Sequence, residues 1–277
     1  MEPRLAEILE DVRRASGKVL ALTGAGISAE SGIPTFRGTE GYWVVGSRNY
    51  MPQEMATREM FERAPEEVWR WYLYRFGVCR HAAPNAGHAA LARLEEVLEG
   101  RLTLVTQNID GLHRRAGSRR VFCIHGDAAY VRCAAECGAG LSDLPDFPVR
   151  GKDDPFTRDD RARLTCPRCK AWLRPHVLWF DEYYDEAYYR MESALRAAEE
   201  ADLLLVVGTS GATNLPMQLG RLAFSRGAAV VDVNPEENPF SDLAIRSTRG
   251  FFARGSACER VPAIAAALSP LPGAGRR

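Results

Sequence analysis

The sequence predicts an α/β fold: a parallel sheet with helices on both faces, interrupted by a smaller module. Three observations carry this. First, apolar segments of strand length at Val19–Thr23, Arg101–Thr106, Leu203–Val207 and Ala228–Val233 alternate with helical patterns at Ala86–Leu98, Glu186–Ala201 and Met217–Arg226. Short continuous apolar runs read as strands buried on both faces, and strand–helix alternation reads as a parallel sheet. Second, two stretches break the alternation: Gly38 to about Pro84 is aromatic and helical, and Asp127 to about Arg174 is rich in Pro, Asp and Cys. Third, the second stretch holds two close cysteine pairs.

Composition bounds the function. The 277 residues suffice for one large domain, or one domain with a small module. Lys+Arg and Asp+Glu are both 36, so no net charge argues for nucleic-acid or membrane binding. The first residues, MEPRLAEILEDVRRASGK, form an amphipathic helix pattern without the apolar core of a signal peptide. No run approaches the ~18–20 apolar residues of a membrane span. The expectation is a cytoplasmic monomer in which disulfides are disfavoured.

Cysteine spacing comes next. Of seven cysteines, Cys79, Cys123 and Cys258 stand alone, while Cys133/Cys137 and Cys166/Cys169 form Cys-x-x-x-Cys and Cys-x-x-Cys pairs. Two close pairs in one segment point to tetrahedral Zn²⁺ held by four thiolates. Four unrelated thiols and a redox Cys-x-x-Cys are the alternatives. Four protein ligands leave no open position, so such a metal is structural. The charged run GKDDPFTRDDRAR between the pairs reads as a solvated loop.

Each predicted strand ends in a small or polar loop: TGAGIS, TQNID, GTS and VNP. Open α/β sheets bind ligands at the carboxyl ends of their strands, so these loops should line one crevice. The GAGIS turn offers small residues and a helix start, which suit a phosphate, although Gly-x-Gly alone is a weak signal.

Those motifs occur in one order with others: GAGISAESGIPTFRG (Gly24–Gly38), TQNIDGLH (Thr106–His113), IHG (Ile124–Gly126), both Cys pairs, RPHVLWF (Arg174–Phe180), GTS (Gly208–Ser210) and VNP (Val233–Pro235). Together they resemble the sirtuin family of NAD-dependent protein lysine deacylases, from roughly Lys18 to Ala267. The resemblance implies a Rossmann-type parallel sheet with helices on both faces, plus a small zinc-binding and helical module. Residues 1–37, 85–126 and 175–268 fall to the large domain, 38–84 and 127–174 to the insertions, and 269–277 to a tail. It also implies cleavage of the nicotinamide–ribose bond of NAD, transfer of the acyl group to ADP-ribose, and peptide or protein partners carrying acyl-lysine. NAD cleavage or ADP-ribosyl transfer without deacylation, and a non-catalytic NAD-binding scaffold, are the competing readings.

Roles transfer position by position. Gly24, Ala25, Gly26, Ser28 and Ala29, with Gly208, Thr209 and Ser210, match the pyrophosphate side. Asn108, Ile109 and Asp110 match the nicotinamide pocket, with Asn108 also near the chemistry. Gln107 matches a ribose-supporting residue, and Asn234, Glu236 and Ala257 the adenosine end. Phe36 and Arg37 match the loop that closes over NAD. His125 matches the catalytic histidine, and its ordinary pKa near 6.5 suits proton acceptance at neutral pH. Val177, Trp179 and Phe180 match the segment that pairs with the peptide. There the usual Phe-Gly-Glu is Phe180-Asp181-Glu182, and the usual Glu before Ile-His-Gly is Cys123.

One stretch addresses the acyl group. In VWRWYLYRF, Trp69 and Trp71 read as core anchors. Tyr72 and Arg75 match the Tyr-x-x-Arg pair of the sirtuin branch that prefers succinyl and malonyl groups. Ala56 matches the small residue that enlarges its pocket. Residues three apart share a helix face, and a hydroxyl with a guanidinium fork suits a carboxylate.

Overall fold

The computed structural model describes residues 1–34, 43–45 and 48–270, with side chains through Pro34 and again from Tyr50. Phe36 and Arg37 lie outside the described residues, as do 271–277 of the tail.

Eleven strands are described: β1 (Val19–Thr23), β2 (Trp43–Val45), β3 (Arg48–Tyr50), β4 (Leu102–Thr106), β5 (Val121–Cys123), β6 (Gly126–Cys133), β7 (Leu141–Asp143), β8 (Leu173–Val177), β9 (Leu203–Val207), β10 (Ala229–Asn234) and β11 (Gly250–Arg254). Six form one sheet in the order β11-β10-β9-β1-β4-β5, parallel throughout. This is the Rossmann order, in which the chain builds outward from β1 on one side and then on the other. The switch at β1 leaves a crevice beyond the carboxyl ends of β1, β4 and β9.

Every residue of β1, β4, β9 and β10 is buried, as a sheet covered on both faces requires. The strand period of two divides their side chains. Val19, Ala21, Leu203 and Leu205 pack against the helices Pro3–Arg14, Ala86–Val97 and Ala257–Leu268. Leu20, Leu22, Leu204 and Val206 pack against Met191–Glu199, Asn214–Ser225 and Pro239–Arg246.

The strand and helix expectations hold to within a few residues at their ends, but the charged run read as a solvated loop contains the helix Arg158–Arg163, whose buried Asp160 accepts from the Arg150 guanidinium at 2.6 Å. One helix is divided: Arg190 adopts φ 55°, splitting the expected Glu186–Ala201 into Glu186–Tyr189 and Met191–Glu199. Glu186 stabilises the break by accepting from both Ser193 N (2.9 Å) and Ser193 Oγ (2.5 Å).

The small module has its own core. An antiparallel sheet, β7-β6-β8, packs on the helix Pro65–His81. Trp69 and Trp71 are buried there, and Trp69 Nε1 donates to the Leu173 carbonyl at 2.8 Å. Large aromatics contribute most to such a core through the area they bury.

Candidate active site

The floor of the crevice is backbone packed on backbone. Gly26 N donates to Gly208 O at 2.8 Å, and Gly24 N to Val207 O at 3.0 Å. A Cβ at Gly26 would stand 2.7 Å from Gly208 Cα, and Gly208 adopts φ +62°. Glycine at 26 and 208 is therefore required so that the ends of β1 and β9 can touch. Thr209 is buried and Ser210 half-buried beside them. Ala25 is half-buried and Ala29 exposed at the surface of the turn.

The TQNID loop is tied to that floor. Gln107 Nε2 donates to Thr209 Oγ1 at 2.7 Å, and Gln107 Oε1 accepts from Thr213 Oγ1 at 3.0 Å. The Gln107 amide thus fastens the end of β4 to the end of β9. Asn108 Nδ2 donates to Gly24 O (3.0 Å) and Ser28 Oγ (3.1 Å). Ser28 Oγ in turn donates to Asp110 Oδ2 at 2.7 Å, while Leu112 N donates to Asp110 Oδ1 at 2.9 Å. Burial pushes the Asp110 carboxyl up, opposed by these two donors. Ile109 lies half-buried against the small-module core, its carbonyl accepting from Ala128 N at 2.9 Å. Asn108, Ile109, Asp110 and Ser28 therefore line one polar wall.

Under this wall lie two histidines. Thr23 Oγ1 is 2.9 Å from both Thr106 Oγ1 and His113 Nε2, and the rings of His88 and His113 are 4.8 Å apart. Burial pushes His88 down to about 4 and His113 to about 3, so both are neutral supports.

His125 stands between the crevice and the small module. It follows β5, and its carbonyl accepts from Leu178 N just past β8 at 3.0 Å. Gly126 makes that approach possible: at φ +91°, a Cβ there would lie 2.1 Å from the His176 carbonyl oxygen. His125 Nδ1 is 3.1 Å from the Gln107 carbonyl oxygen, and Nε2 is 2.9 Å from the Tyr184 hydroxyl. Burial pushes the ring down to about 4, partly offset by the Gln107 carbonyl. It is neutral at pH 7 and able to accept a proton.

At the carboxyl end of β10, Asn234 Nδ2 donates to Asp232 Oδ1 (2.6 Å) and Thr209 O (3.3 Å). Both amide hydrogens are thereby used, which turns Asn234 Oδ1 outward as an acceptor. Glu236 is exposed nearby. Ala257 is buried at the start of the helix that follows β11. Glu30 holds that end through Ser256 Oγ (2.9 Å) and Cys258 N (3.0 Å).

The aromatic helix Pro65–His81 carries Tyr72 and Arg75 into the small-module core. Tyr72 is buried and Arg75 half-buried, with the Arg75 guanidinium 5.3 Å from the Trp71 ring centre. Trp179 Nε1 donates to the Tyr72 hydroxyl oxygen at 2.9 Å, so the Tyr72 O–H proton is aimed elsewhere. Burial pushes the Tyr72 phenol well above its ordinary value, which keeps it a donor. Ala56 and Val177 are buried in the same core, and the Ala56 carbonyl accepts from Phe180 N at 2.9 Å. The Phe180 ring itself is 57% exposed, open to a partner.

The unexpected Asp181 has a visible task. Its carboxylate accepts from Arg58 N (2.8 Å) and Glu59 N (3.1 Å), capping the helix Arg58–Arg63. This pins the Ala56 loop to the Phe180 segment. Asp181 and Tyr184 went unassigned in the sequence because their partners are distant along the chain; the run DEYYDEAYY carries no period that separates them.

The four cysteines converge. Cys133 ends β6, Cys137 sits in the turn beyond it, and Cys166 and Cys169 precede β8. Their sulfurs lie within 4.8 Å of one another, with pairs at 3.4 and 3.7 Å. Tetrahedral zinc with Zn–S bonds of ~2.3 Å requires sulfurs about 3.8 Å apart. The cluster fits structural Zn²⁺, which would clamp the strands flanking His125 and Trp179.

A Rossmann-ordered sheet with a polar strand-end crevice, a neutral histidine and a thiolate-clamped lobe defines an α/β enzyme of the dinucleotide-using class. The model described as the Sir2 family matches residues 24–214. The chain belongs to the Sir2 family, the sirtuins. It is 43% identical over 257 residues to an NAD-dependent protein deacylase of Thermus thermophilus, covering 91% of this chain and 93% of that protein. A Sir2 homologue solved with NAD superposes with TM-score 0.77 at 35% identity, covering 97% of this chain and 94% of that one. A Sir2 protein solved with a p53 peptide and NAD superposes with TM-score 0.75 at 28% identity, covering 95% and 97%.

Proposed function

We propose that the protein is an NAD-dependent protein-lysine deacylase that prefers acyl groups ending in a carboxylate, such as succinyl or malonyl. The deacylase activity rests on Sir2 membership and on relatives that bear that name. Bound NAD would supply the acceptor: nicotinamide would leave its ribose C1′, the acyl group would end on the ADP-ribose, and one water would balance the release of free lysine.

The residues divide this work. The Gly24–Ala29 turn with Gly208–Ser210 cradles the pyrophosphate at a helix start. Asn108, Ile109 and Asp110 hold the nicotinamide amide. Asn234 Oδ1 and Glu236 take ribose hydroxyls at the adenosine end. His125 Nε2 accepts a proton from a ribose hydroxyl, its ring held neutral by burial. The exposed Phe180 segment receives the peptide in extended form, where main-chain hydrogen bonds give affinity.

The acyl preference is carried by one observation. Tyr72 receives a hydrogen bond from buried Trp179, and among the described residues no acceptor takes its own O–H, one helical turn from the Arg75 guanidinium. Hydroxyl and guanidinium on one face hold a carboxylate; an acetyl group offers them nothing. Peptides of one sequence carrying succinyl-, malonyl- or acetyl-lysine test this. The expected outcome is a kcat/KM for succinyl or malonyl at least ~10-fold above acetyl, the worth of one charged hydrogen bond. Equal or better turnover of acetyl would remove the preference.

A further inference from the structure

We propose that Tyr184 is a positioning residue for His125: its hydroxyl holds the one accepting nitrogen of the ring until a substrate hydroxyl takes its place. The inference rests on the reading of His125 as proton acceptor and goes one step beyond it.

The tautomer follows from the partners. The Gln107 carbonyl oxygen, 3.1 Å from His125 Nδ1, can only accept. Nδ1 therefore carries the hydrogen, and a neutral imidazole then has a single lone pair, at Nε2. The Tyr184 hydroxyl lies 2.9 Å from Nε2 and must be its donor. A phenol pushed up by burial to about 12 stays protonated and keeps donating. Among the described residues no charged side chain shifts His125; burial and the Gln107 carbonyl are the causes.

Tyr184 is held for this task. It sits between β8 and the helix Glu186–Tyr189, beside Asp185, which caps that helix by accepting from Tyr188 N at 2.6 Å. Its ring packs on the large-domain cluster with Phe122 and Met191. The rings of Tyr184 and His125 are 5.9 Å apart and tilted by 35°, so the direct contact is the hydrogen bond rather than ring stacking.

One lone pair accepts one strong hydrogen bond. A ribose hydroxyl that is to give its proton to Nε2 must displace Tyr184. Tyr184 thus keeps the free enzyme's base neutral, aimed and shielded, at the cost of competing with the incoming hydroxyl.

The test is made on the full chain with ¹⁵N-labelled histidine and no NAD. In the wild type, His125 should show the Nδ1–H tautomer at pH 7. In Tyr184→Phe the tautomer should persist while the titration midpoint rises by about one unit, because a donor to the lone pair favours the neutral ring. ADP-ribose should bind the variant about 3- to 10-fold more tightly by calorimetry, its hydroxyl no longer having a competitor. An Nε2–H tautomer in the wild type overturns the proposal, and so does an unchanged titration or unchanged ADP-ribose affinity in the folded variant. If Tyr184→Phe fails to fold, Tyr184→Leu carries the same titration and ADP-ribose readouts. None of these readouts uses turnover. A His125→Ala protein that still turned over would remove the proton-acceptor reading and leave the Tyr184 contact standing.

Discussion

Replacing Arg75 by Met keeps most of the side-chain length and removes the charge. Arg75 is half-buried and stays protonated at neutral pH even though burial pushes it down. A carboxylate bound to it makes a charge-assisted hydrogen bond worth about 1.5–3 kcal/mol. Its loss should lower kcat/KM for a succinyl-lysine peptide by roughly 10- to 150-fold. An acetyl-lysine peptide of the same sequence should change less than about threefold, because acetyl has no charge to lose. Tyr72→Phe adds a second readout. It removes one donor to the carboxylate, and it also strips the acceptor from Trp179 Nε1, which is buried in the same core. An orphaned buried N–H costs about 1–3 kcal/mol, so this variant should melt earlier as well as discriminate less. Steady-state rates on both peptides, with melting curves alongside, separate specificity from folding. Equal losses on succinyl and acetyl in Arg75→Met would refute the clamp.

Three further outcomes follow from the same geometry. His125→Ala should bind NAD near normally and lose at least ~100-fold in turnover, while wild-type kcat/KM keeps its activity well below pH 6, because the ring stays neutral until the pH nears about 4. Cys166→Ser should abolish stoichiometric zinc by metal analysis and unfold the small module, since its four ligands join the turn after β6 to the turn before β8. Buried His88, His113 and His176, pushed to about 4, 3 and 4, are neutral in the fold but free to protonate when unfolded. Their contribution, up to about 3 kcal/mol each for His88 and His176 and about 5 kcal/mol for His113, is present above pH ~6.5 and lost as pH falls toward about 4 and 3, so the urea midpoint should drop across that window.

Much of this was legible from the chain alone, and the reasons differ by element. β1, β4, β9 and β10 are buried on both faces, so they appear as unbroken apolar runs. β5 has three residues and β11 is mostly half-buried, and neither length nor pattern marks such edges. The break at Arg190 is set by Glu186 reaching Ser193, a side-chain contact that periodicity does not encode. Motif order singled out His125 and pair spacing singled out the four cysteines that converge, because those signals sit in short local stretches. Other parts depend on contacts across the fold: Gln107 serving Thr209 and Thr213, Asp181 capping the helix at Arg58, and Tyr184 meeting His125.

The most direct measurement is a product balance. The zinc-loaded protein is incubated with NAD and a succinyl-lysine peptide, and the products are followed by mass spectrometry. Nicotinamide, free-lysine peptide and O-succinyl-ADP-ribose should appear in equal amounts. Nicotinamide released without the acylated ADP-ribose would contradict the deacylase account.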